Sequence, residues 1–99
     1  MALSVAVEGY GGVVEERYVG GPVWQLCQLA AEAGMPMLGL VAKYDDTKFN
    51  RSQIGAVAAE LRQLAATAPP AEAEAAHRLL AMTERVDAKP HRYLVFIGD

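Results

Sequence analysis

Tyr93, Leu94, Val95, Phe96 and Ile97 are five consecutive apolar residues, and no other stretch of the chain restricts its fold as much. A strand points successive side chains to opposite faces, so Tyr93, Val95 and Ile97 oppose Leu94 and Phe96. A run apolar on both sides cannot lie at a wet edge without exposing a hydrophobic ribbon. It must be covered on both faces or lie centrally in a sheet. The sequence therefore predicts a strand over residues 91–97, paired between others, after Lys89 and Pro90 break the preceding pattern.

Two further strands are expected near the start. Leu3, Val5 and Val7 alternate with Ser4, Ala6 and Glu8, the period of a half-buried strand. Gly9, Tyr10, Gly11 and Gly12 then form a turn cluster, and residues 13–19 alternate again, which completes a β-hairpin. A third strand is read over residues 37–42, a short apolar run after Pro36.

Three helices separate these strands. Residues 22–33 open on Gly20, Gly21 and Pro22 and close on Gly34 and Pro36. Gln25, Gln28 and Glu32 make one polar stripe, and the rest of that helix is apolar, so it is expected to be wedged under the sheet or covered by a partner. A second helix is read from Arg51, with Ile54, Val57, Ala58, Leu61, Leu64 and Ala65 inward and with Asn50 and Gln53 spaced as a capping box. Pro69 and Pro70 end it and start a third, over residues 71–86, with Ala73, Ala76, Leu80, Thr83 and Val86 as its stripe. The expected fold is a single α+β domain over residues 1–99, of order β-β-α-β-α-α-β. A mostly antiparallel sheet of three to four strands carries three helices on one face.

Composition narrows the function. At 53% hydrophobic and 21% charged residues, the chain has ample apolar surface to offset the entropy of ordering. Its net charge is −3 and its nine Lys and Arg are dispersed, which argues against nucleic acid as a partner, since displacing counterions from phosphates requires clustered cations. No apolar run approaches the ~20 residues of a membrane span, and the start lacks a signal-peptide pattern. The single cysteine, Cys27, lies in an apolar stretch and reads as a buried, reduced thiol. These observations lead to the expectation of a cytoplasmic protein.

No motif carries chemistry. Gly9, Gly11 and Gly12 lack the Lys and Ser/Thr of a phosphate loop. Asp45, Asp46, His91 and Asp99 lack metal-ligand spacing, so neither a metal nor another cofactor is expected. His77, beside Glu74 and Arg78, reads as solvated, and Trp24 as a core anchor.

Two segments nonetheless stand out: residues 46–53, Asp-Thr-Lys-Phe-Asn-Arg-Ser-Gln, and residues 91–99, His-Arg-Tyr-Leu-Val-Phe-Ile-Gly-Asp. Together they resemble a group of small uncharacterised bacterial proteins that carry a D-T-x-F-N-x-x-Q segment and end in an H-x-Y-L-x-F-I-G-D strand. The resemblance implies a shared fold and no particular chemistry.

If the two segments meet, their polar groups form either a structural network or a binding surface. The candidate binding residues are Asp46, Thr47, Asn50, Arg51, Gln53, His91 and Asp99. The expected function is a non-enzymatic protein-interaction module of the toxin-neutralising or immunity-like kind, with a protein partner or a second copy covering the first helix. The alternative is a small enzyme or ligand-binding domain that uses Asp46, Asn50, Arg51 and His91.

Overall fold

The computed structural model describes residues 3–98. Its elements are β1 (Ser4–Glu8), β2 (Val14–Tyr18), α1 (Val23–Glu32), β3 (Thr47–Phe49), α2 (Ile54–Thr67), α3 (Pro70–Ala88) and β4 (Tyr93–Ile97). The four strands form one antiparallel sheet in the order β2-β1-β4-β3, so the apolar run at residues 93–97 is central, as its two-sided pattern requires.

Register decides which residues share a face. Val5 lies opposite Phe96 and Val7 opposite Leu94, and Phe49 also faces Leu94. These five residues belong to one core cluster with Leu26 of α1, Leu61 of α2, and Leu79 and Met82 of α3. All three helices therefore cover this one face, and Phe49 packs edge-on to Phe96 with ring centroids 5.9 Å apart. The other face carries Ala6 opposite Val95, and both are buried although no helix lies over them. Half-buried Tyr93 and Ile97 flank Val95 along β4. Lys48, opposite Val95, reaches over the Tyr93 ring at 5.3 Å and lies 3.6 Å from the Glu8 carboxylate. The second apolar face of β4 is thus closed within the sheet by long neighbouring side chains, the stems of which shield apolar surface while their charged heads stay wet.

The third strand is not at residues 37–42. That segment is a tight 3-10 turn at Leu38–Leu40, and the strand lies at Thr47–Phe49, inside what reads as the polar loop. Glu60 is the reason. It sits on the buried side of α2, and its two carboxylate oxygens accept the backbone N–H groups of Met37 at 2.9 Å and Leu38 at 2.8 Å. Donors held this way are not available to a sheet ladder. The turn instead inserts Leu38 and, after it, Val41 into the core.

The helices depart from expectation in smaller ways. α1 buries one stripe, Val23, Leu26, Cys27 and Ala30, while Trp24 and Leu29 pack half-buried beside it. It ends in a Schellman motif: Gly34, at φ +73°, donates to the Ala31 carbonyl, and Met35 donates to that of Ala30. Regular helix in α2 begins at Ile54 rather than Arg51, because residues 51–53 form a turn first. In α3 the buried stripe is Ala75, Ala76, Leu79, Met82, Thr83 and Val86, while Ala73 and Leu80 are only half-buried. Alanine is too small and too frequent along this helix to mark a face, and the Thr83 hydroxyl tolerates burial because it donates to the Leu80 carbonyl at 2.6 Å.

Candidate functional site

The two polar segments do meet, as neighbouring strands. Thr47 pairs with Phe96, Lys48 with Val95 and Phe49 with Leu94. At one end the Asp46 carboxylate accepts the N–H of Gly98 at 3.1 Å, and the Thr47 hydroxyl accepts the N–H of Ala42 at 3.4 Å. At the other end the Asn50 N–H donates to Gln53 Oε1 at 2.9 Å, and the Gln53 N–H donates to Asn50 Oδ1 at 3.1 Å. This is the reciprocal pattern of a capping box, reinforced by the Ser52 hydroxyl donating to Asn50 Oδ1 at 2.7 Å. Arg51 Nε donates to the Asp87 carbonyl at 3.1 Å. Five of the expected binding residues thus use polar groups to hold turns and helix ends together.

Nor do these residues converge. Asp46 and Asn50 flank opposite ends of β3, on the order of 13 Å apart at about 3.3 Å per extended residue. Asp99 lies outside the described residues. His91 precedes β4 near the Asn50 end, but it is engaged with the β1–β2 turn, where its ring meets Tyr10 edge-on at 5.5 Å. It is the one residue other than glycine with positive φ (62°) among the described residues, a conformation that costs energy and persists only where surroundings enforce it.

That turn is the more distinctive surface. Tyr10 is 80% exposed, Val13 64% and Val14 44%, a large apolar presentation for five residues of chain. Gly11 (φ +75°) and Gly12 (φ +81°) bend the backbone, and the Gly9 N–H closes the turn onto the Val13 carbonyl at 2.7 Å. Ion pairs fasten it from behind. Arg92, with only 11% of its side chain exposed, meets Glu15 Oε1 at 2.7 Å and donates to the Arg85 carbonyl in α3 at 2.6 Å. Arg85 in turn lies 3.6 Å from Glu15 and 3.8 Å from Glu16. The other Glu15 oxygen rests so close to Gly9 that a Cβ there would overlap it. The exposed apolar turn is therefore tied to β4 and α3.

In the sequence Tyr10 reads as part of a turn, and Glu15, Arg85 and Arg92 belong to no recognisable site. A signal existed in Arg92, a charge immediately before the most apolar run, which a core strand keeps only when the charge has a partner.

Other surfaces are less organised. A depression of about 190 Å³ between α2 and α3 has Gly55 and Ala58 among its lining and Arg62, Glu84 and Asp87 around it. It falls short of the ~300–1,000 Å³ that ordinarily enclose a small ligand. Burial pushes the Cys27 thiol up to about 12, which keeps it protonated and unreactive. Among the described residues no three His, Cys, Asp or Glu side chains gather as a metal-ligand set, and no helix is long and apolar enough to cross a membrane. Compared with known proteins, the chain matches no family model, no curated protein and no solved structure.

Proposed function

We propose that the protein is a non-enzymatic interaction module that docks another protein through the β1–β2 turn, with Tyr10, Val13 and Val14 in contact and His91 behind Tyr10. The observation that carries this reading is the exposure of three large apolar side chains on a turn held by the Arg92–Glu15 ion pair. Exposed apolar clusters rimmed by charge mark contact sites, aromatic residues dominate contact energies, and a turn ordered in advance loses little entropy on docking.

A second copy fits the sheet edge poorly. Glu15 is an extra residue opposite Val7 and Glu8, a bulge, and it sits among the charges of Glu16 and Arg17. Both features discourage edge-to-edge pairing. A different protein is thus the partner in this reading, and an acidic chain of net charge −3 acting in the cytoplasm suits a toxin-neutralising or immunity-like role. The enzyme alternative is disfavoured by the separation of Asp46 from Asn50 and by the structural bonds of both.

Affinity capture from the source cells, quantified by mass spectrometry, tests the proposal. A protein retained by the wild type and by Arg51→Ala should be lost about ten-fold or more with Tyr10→Ala/Val13→Ser, since each contact anchor is worth above about 1 kcal/mol. Loss with Arg51→Ala and retention by the double variant would reverse the assignment.

A further inference from the structure

His91 stands where a glycine would be relaxed. It follows Pro90 in the turn between α3 and β4 and holds φ +62°. Proline followed by a positive φ is the pattern of a type II turn, and the second of these positions favours glycine, which has no Cβ to clash. The β1–β2 turn opposite meets the same demand with glycine, at Gly11 (φ +75°) and Gly12 (φ +81°). A histidine in such a place costs stability that glycine would not, and only its side chain can offset the cost.

That side chain meets Tyr10. The two rings lie edge to face, with centroids 5.5 Å apart and planes at 79°, a geometry that fixes orientation as well as contact. Tyr10 has little else to order it, since it is 80% exposed and two glycines follow it. Exposed side chains otherwise exchange rotamers within picoseconds to nanoseconds. The His91 side of the pair is rigidly mounted. Pro90 has a locked φ, and Arg92 is bonded to Glu15 and to the Arg85 carbonyl. Glu15 also backs Gly9, immediately before Tyr10. Both rings therefore stand on one frame.

We infer that His91 is a positioning residue for the docking surface: its imidazole braces the exposed Tyr10 ring in the orientation presented to the partner. The inference rests on the docking role of Tyr10 and adds to it a reason for the left-handed backbone. An aromatic side chain ordered in advance loses less rotamer freedom on docking, an effect of roughly two- to ten-fold in affinity.

NMR relaxation of the tyrosine side chains in the full chain tests the brace without any partner. Tyr44, 71% exposed and paired with no ring among the described residues, is the internal reference. In the wild type Tyr10 should be more ordered than Tyr44 and show Overhauser contacts to the His91 ring. His91→Gly should loosen Tyr10 to the level of Tyr44. Its denaturation midpoint should nevertheless lie above that of His91→Ala, which also lacks the ring but keeps the strained φ. His91→Phe, which restores a ring, should restore the order of Tyr10. A protein captured through Tyr10 should be held roughly two- to ten-fold less by His91→Gly and as well as by the wild type with His91→Phe. A Tyr10 as mobile as Tyr44 in the wild type, or still ordered in His91→Gly, overturns the brace. Capture lost with Tyr10→Ala/Val13→Ser but unchanged with His91→Gly overturns its effect on docking. Capture unchanged with both, while Tyr10 loosens as expected, contradicts the docking role of Tyr10 and leaves the brace standing.

Discussion

Asp46 and Gly98 are 52 positions apart, yet the Asp46 carboxylate accepts the Gly98 N–H at 3.1 Å, and this bond fastens the end of β4 to the loop entering β3. Gly98 is needed for a second reason. A Cβ on it would overlap the backbone of Asp45, so only a residue without a side chain lets the two segments pass. Gly98→Ala should destabilise the protein by about 1–3 kcal/mol, the usual cost of forcing extra atoms into packed surroundings. Asp46→Asn, which keeps an acceptor oxygen, should cost less than about 1 kcal/mol. Denaturant titration decides, and an unchanged Gly98→Ala midpoint would mean that the chains do not approach so closely.

Glu60 holds the turn at Leu38–Leu40 through two backbone N–H groups. Glu60→Ala leaves both donors without their acceptor, one of them buried, and should cost at least about 2 kcal/mol. Glu60→Gln should fall between the two, since one carboxamide oxygen can still accept. Hydrogen exchange at Met37 and Leu38 should accelerate in both variants more than elsewhere in the chain. Uniform acceleration would indicate general loosening and remove the specific role.

Arg92 joins β2 to the end of α3 through Glu15 and the Arg85 carbonyl. Because its side chain is largely buried, Arg92→Ala should cost about 1.5–3 kcal/mol, more than an exposed ion pair would. A double-mutant cycle with Glu15→Gln should return a coupling of roughly 1 kcal/mol. Additive single effects would show that the pair is not formed in solution.

The strand pattern of β1, β2 and β4 was legible because each has at least five residues, enough for alternation or its absence to register. β3 was not, because Thr47, Lys48 and Phe49 show the same inward-outward pattern over only three residues, hidden in a polar stretch. Caps were readable where chemistry is local: Asn50 with Gln53, and Gly34 after α1. Bonds between distant segments were not. Glu60 to Leu38 and Asp46 to Gly98 depend on tertiary placement that no local spacing encodes. Of the candidate site, the polar richness of residues 46–53 is legible, but the bonds that Asp46 and Arg51 make to Gly98 and Asp87 depend on tertiary placement, as does the exposure of Tyr10, Val13 and Val14.

Cys27 gives a pH signature. Burial raises its thiol from an ordinary 9.0 to about 12, so the folded protein holds a proton that the unfolded chain releases in that interval. Its contribution to stability is complete below pH 9.0 and declines as pH rises toward about 12, at about 1.4 kcal/mol per pH unit. Denaturant titrations of wild type and Cys27→Ala should therefore differ by a constant amount below pH 9.0 and by a steadily changing one above it, where the wild type alone loses the thiol's contribution, while the native thiol resists thiol-specific reagents. Parallel pH profiles would show the thiol to be accessible.

Every placement above, from the paired polar segments to the fastened turn, depends on β4 lying between β1 and β3. Native-state hydrogen exchange of the intact protein measures this directly. Leu94, Val95 and Phe96, with neighbours on both sides and almost no exposure, should be among the last amides to exchange, close to the global unfolding limit. Glu16 and Arg17 on the outer strand β2 should exchange sooner. If the amides of residues 94–96 exchanged as early as those of β2, β4 would be an edge strand and the architecture described here would be wrong.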